Sequence, residues 1–127
     1  MTDPAALQAF LVGEVESLEP FGFVGVGPAG NPLHLVEVTR LGDSGLEVRV
    51  PGRPPILPSL PGQVLSALRE RGFASEDAEN PMKPWCRAVA NPAEAVDCVQ
   101  ALLVEVFGEK PDVAIDVAHG SHRAEHE

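Results

Sequence analysis

With 127 residues, 44% of them hydrophobic, the chain suits one domain, because a single core of this size buries most of its apolar surface and a second would be starved. A mean hydropathy of +0.02 excludes a wholly disordered chain, and no apolar run reaches the length needed to cross a bilayer. Nineteen acidic residues against nine basic ones give a net charge of −10, which repels phosphate backbones and anionic lipid, so neither nucleic acid nor a membrane is expected as a partner.

In chain order, Asp3-Pro4 offers an N-cap and a first-turn proline, and Leu7, Phe10, Leu11, Val15 and Leu18 recur at helical spacing, predicting a first helix that ends before Pro20. Glu14, Glu16 and Glu19 fall on its exposed face. The segment from Phe21 to Gly27 is apolar and partly alternating, but its glycines mark a weak strand, a bulge or a place where another backbone comes close. Gly22, Gly25, Gly27 and Gly30 do not match a phosphate-binding spacing. Leu33 to Leu41 and Leu46 to Val50, joined by Gly42-Asp43-Ser44-Gly45, read as a β-hairpin, with His34 on its first strand beside Val36 and Val38.

Pro51, Pro54, Pro55, Pro58 and Pro61 require an extended crossover, after which Ser59 can cap a helix running to Arg71 and stopped by Gly72. Ala74 to Pro81 is an acidic loop or edge segment, and Met82 to Ala90 a short strand that Pro84 interrupts or precedes. Asn91-Pro92-Ala93-Glu94 is the best local signal: a cap, a first-turn proline and a capping-box glutamate open a core helix through Phe107, closed by Gly108 and Pro111. Val113 to Val117 adds a terminal strand or packs as a short extension. The domain is placed at residues 1–118, with 119–127 as a disordered histidine-containing tail.

The catalytic inventory is thin. His122 and His126 have the spacing that chelates a metal on a helix, with His119 nearby, but no apolar stripe holds such a helix in place, so no metal site and no cofactor are expected. Cys86 and Cys98 form no CxxC pair and read as reduced, small buried hydrophobes. His34 is the one histidine outside the tail, and an arrangement of Cys86 with His34 in a small hydrolase or transferase is the alternative enzymatic reading. No carboxylate pair sits in the apolar context that would prepare a general acid. Trp85, the single tryptophan, is a core or interface anchor.

The resulting order, α-β-β-β-α-(β)-β-α, together with the strand and proline-rich crossover LEVRVPGRPPILPSLP, the helix end from Leu68 to Phe73, Asn80-Pro81 with Trp85, and the helix from Asn91 to Gly108, resembles the type III secretion chaperone-like fold, including the YbjN-like and TY-Chap families. That resemblance implies an α+β fold with an antiparallel sheet packed by helices on one side, and a protein that grips other proteins without ATP, as a dimer or in partner-bound form. No catalytic residue follows from it.

The expected function is therefore non-enzymatic protein binding, chaperone-like or regulatory, with Trp85, Leu7, Phe10 and Leu11 as candidate anchors, a protein partner and a possible homodimer. The start Met1-Thr2-Asp3-Pro4 has no basic n-region, so a cytoplasmic location is expected.

Overall fold

A computed structural model describes residues 4–42, 45–53 and 56–121. Helix α1 (Pro4–Glu16) is followed by strand β1 (Gly22–Pro28), a short 3-10 turn (Pro32–His34), and strands β2 (Val36–Arg40) and β3 (Leu46–Val50). Helix α2 (Gly62–Glu70), strands β4 (Ala74–Ser75) and β5 (Trp85–Val89), helix α3 (Pro92–Ala101) with a π-helical last turn (Leu102–Val106), and strand β6 (Ile115–Ser121) follow within the described residues. Six antiparallel strands form one sheet in the order β4-β5-β3-β2-β1-β6.

The register explains the core. Val24 lies opposite Val38, Val38 opposite Val48, Val26 opposite Val36 and Val50 opposite Trp85, so one face presents a continuous apolar layer. The side chains of Leu11, Val15, Val64, Leu68, Val96, Val99, Leu102 and Leu103 bury themselves with that layer, which places the helices on this side. The opposite face carries Phe23, Gly25, Glu37, Thr39, Glu47, Arg49, Cys86, Ala88 and Ala118, and among the described residues no helix covers it. An α+β fold with helices packed on one side of an antiparallel sheet is thus present, as expected.

Local chemistry sets the element ends. Asn91 Oδ1 accepts the Glu94 N–H at 2.8 Å, and Glu94 Oε2 reaches back to the Ala90 N–H at 2.7 Å, a reciprocal cap that starts α3. The expected cap at Asp3, the residues Asp43 and Ser44 of the hairpin turn, and Pro54 and Pro55 of the crossover lie outside the described residues.

Three expectations need correction. Ser59 does not cap α2; the helix begins at Gly62 behind Pro61, without a side-chain cap, because Pro61 adopts the extended backbone that proline supplies before a first turn. His34 is not on β2. Asn31 Oδ1 accepts the Leu33 N–H at 3.2 Å and Pro32 fixes its own φ, so the chain turns in a 3-10 helix before the strand begins. Finally, the element order gains a sixth strand after α3, and that strand runs to Ser121, so residues 119–121 belong to the sheet rather than to a tail.

Candidate partner-binding surface

The four anchors proposed from the sequence do not come together on one exposed patch. Leu11 is 2% exposed and Trp85 5%, both within the core, and Leu7 is half-buried against it. Trp85 lies on β5, under the guanidinium of Arg69, whose carbon is 5.2 Å from the ring centroid. Phe10, at 51% exposure, is the one of the four that α1 turns to solvent.

Cys86 and His34 are also apart. Cys86 projects from β5 on the face without helices, where burial, and after it Glu47, push the thiol up to about 12. His34 stands at the helix-covered side: its ring stacks on Phe107 at 4.8 Å between centroids and its Nδ1 lies 2.6 Å from Glu109 Oε2. The π turn produces this arrangement, since the Phe107 N–H bonds the Leu102 carbonyl at 2.9 Å and the widened turn sets Phe107 and Glu109 against the 3-10 segment. A thiol held protonated and a histidine engaged elsewhere do not make a nucleophile and base.

The other candidate surface centres on β6, a strand that the sequence allowed over Val113 to Val117 but did not carry to Ser121. Every residue of this strand pairs with β1, from Gly22 opposite Ser121 to Pro28 opposite Ile115. Among the described residues no strand lies beyond it, and it is seven residues long, whereas β4 at the other edge has two. His119, expected in a tail, sits on the helix-side face of β6, with Nε2 2.7 Å from Glu14 Oε2 on α1. Glu14 is half-buried rather than part of a freely solvated acidic face. His122 and His126 lie outside the described residues; no group of three or more metal-ligating side chains occurs among the described ones.

On the face without helices, β1 and β6 form a shallow trough. Gly25, Gly27 and Ala118 pave it, Leu35 and the turn from Ala29 to Asn31 wall it on one side, and Asp116 stands at the other, enclosing a hollow of about 450 Å³. The neighbours lie close to these glycines: a Cβ on Gly25 would come within 3.2 Å of Leu35 Cδ1, a tight contact that the leucine side chain must yield to, and one on Gly27 would make an ordinary contact 3.5 Å from the His34 carbonyl oxygen. Phe23 lies across Gly120 at the far end, where any Cβ would fall 2.5 Å from the ring. Thr39, beside Phe23 on this face, is buried with its hydroxyl unpartnered among the described residues.

Three acidic side chains lie near this edge. Asp116 points from β6 onto the open face, Glu14 engages His119, and Glu19 lines a second hollow with His119, Gly120 and Ser121. β6 contains no lysine or arginine, and Arg40, at the same end of the sheet, donates to the Leu18 carbonyl at 2.8 Å.

No helix is long and apolar enough to cross a membrane among the described residues. No protein-family model matches the chain, and no curated protein and no solved structure matches it either.

Proposed function

We propose that the chain is a non-enzymatic protein-binding protein, chaperone-like or regulatory, similar in plan to the type III secretion chaperone-like proteins. The observation that carries this reading is the one-sided sheet: among the described residues the helices pack on one face, no helix covers the other, on which Glu37 and Thr39 are nonetheless buried, and no strand lies beyond β6. Such surfaces suit protein partners because a sheet edge supplies main-chain hydrogen bonds and a pleated face supplies side-chain pockets. The separation of Cys86 from His34, and the raised thiol pKa, favour binding over nucleophilic chemistry.

Affinity capture from native lysate at low and moderate salt, followed by reconstitution of the recovered protein with the pure chain, tests the proposal. A stoichiometric complex that slows amide exchange on β1, β2 or β6 is expected. Recovery of no protein that rebinds the pure chain would remove the reading.

A further inference from the structure

We infer that the outer edge of β6 accepts an extended segment of a partner protein as an additional strand, and that this segment alternates basic and apolar residues. The inference rests on the protein-binding reading above and specifies how and what the chain grips.

The argument begins with the backbone. A strand at the end of a sheet directs alternate N–H and C=O groups away from its one neighbour, and each is a hydrogen-bonding site that a further strand can use. Edges of this kind are ordinarily blunted by proline, by lysine, by a bulge or by brevity. β6 has none of these: it contains no proline or lysine, its pairing with β1 advances residue for residue without a bulge, and it runs for seven residues. It is also held in place from both faces, with His119 bonded to Glu14 of α1 on the helix-covered side and Phe23 of β1 lying over Gly120 on the open one. A partner strand therefore meets a fixed template.

The side chains then specify the partner. On the helix-covered side β6 presents Ile115 and Val117, each only half-buried, so an incoming residue beside them gains by being apolar. On the open side it presents Asp116 next to Ala118 and the glycine-paved trough, Glu19 stands near the Ser121 end, Glu14 on the helix-covered side is taken up by His119, and the strand itself has no lysine or arginine. A lysine or arginine stem can lie over the small residues while its charge meets Asp116. The net charge of −10 draws such a segment to the edge and turns an acidic one away. Alternation by two follows from the pleat: apolar residues fall on one side and basic residues on the other.

The test uses the full chain and a labelled, end-blocked peptide of about seven residues alternating lysine and valine, matching the length of β6. The control peptide has the same charge with its central valine replaced by proline, which removes a donor and bends the strand. Fluorescence anisotropy should show the alternating peptide binding at least about tenfold more tightly than the proline control, with Asp116→Lys weakening it by about tenfold or more. Amides of residues 115–120 should exchange more slowly in the complex, while the far edge at β4 stays unchanged.

Equal binding of both peptides would assign the effect to diffuse charge and overturn the inference, as would no binding of either at millimolar peptide. Protection of the 115–120 amides in the free protein, together with a solution mass of two chains, would assign the edge to a second copy and overturn it as well. If the peptides fail while captured proteins still reconstitute with the chain, the edge assignment falls and the protein-binding reading stands; if neither occurs, both fall.

Discussion

Gly52, just after β3, faces the backbone of the turn before β5 so closely that it admits no side chain. A Cβ placed there would lie 2.2 Å from the Met82 carbonyl oxygen, 2.3 Å from its carbon and 2.8 Å from the Lys83 nitrogen. All three atoms are main chain, so no rotamer change relieves Gly52→Ala; the turn from Asn80 to Lys83 must move away from the end of β3. That movement pulls against the adjacent bond from the Arg53 N–H to the Pro81 carbonyl, 2.6 Å long. Overpacking of this kind costs about 1–3 kcal/mol and loss of the bond about 1 kcal/mol, giving about 2–4 kcal/mol in all. For a chain of this length the melting temperature should fall by roughly 10 °C. Chemical denaturation followed by Trp85 fluorescence suits the measurement, since Trp85 follows the same turn and is buried in the folded state. Gly62→Ala is the matched control: nothing lies within 4 Å of its Cβ, and as the first residue of α2 it should gain about 0.4–1 kcal/mol. A Gly52→Ala protein within about 0.5 kcal/mol of the parent would refute the close-approach reasoning.

Cys86 should resist alkylation. A thiol pushed up to about 12 holds roughly a thousandth of the thiolate of an ordinary cysteine at pH 8, so iodoacetamide labelling of the folded chain should run about a thousandfold slower than in denaturant, read by peptide mass spectrometry. Because the folded pKa lies above the unfolded one, its contribution to stability is complete below about pH 8.5 and is lost as pH rises from there towards 12. Cys86→Val should flatten that alkaline decline in a series of denaturation curves. Asn91→Ala removes the side-chain acceptor for the Glu94 N–H and should lower stability by about 1 kcal/mol, measured by the same denaturation, with exchange rising first at the start of α3.

The parts of this fold legible in the sequence are those decided by near neighbours. Asn91, Pro92 and Glu94 contain the whole instruction for starting α3, and Leu46, Val48 and Val50 declare which side of β3 is buried. The glycines of β1 left a weak strand, a bulge or a close backbone approach open; β1 is a regular strand of seven residues, with the Leu35 side chain near Gly25 and the His34 backbone within ordinary contact distance of Gly27. What was not legible depends on distant partners. The run from Val113 to Val117 allowed a terminal strand or a short extension, but β6 is mostly exposed and polar at its end, so its course to Ser121 and its place beside β1 were not legible; pairing with β1 decides both. His119 followed it into the supposed tail for the same reason. Trp85 and Leu11 read as core residues that could also serve as anchors, and burial assigns both to the core.

The partnership of β1 with β6 joins the first described strand to the last. During synthesis β1, β2 and β3 are complete long before residues 115–121 emerge, and closing so long a stretch of chain is the slow, entropically costly part of assembling the sheet. Throughout that interval the glycine-rich flank of β1 awaits a strand whose register is already determined. A β6 from another molecule satisfies it equally well, because the same seven pairs form. Crowded refolding should therefore yield exchanged dimers in proportion to protein concentration at the moment of folding, and these should persist after dilution, because their separation requires β6 to leave the sheet.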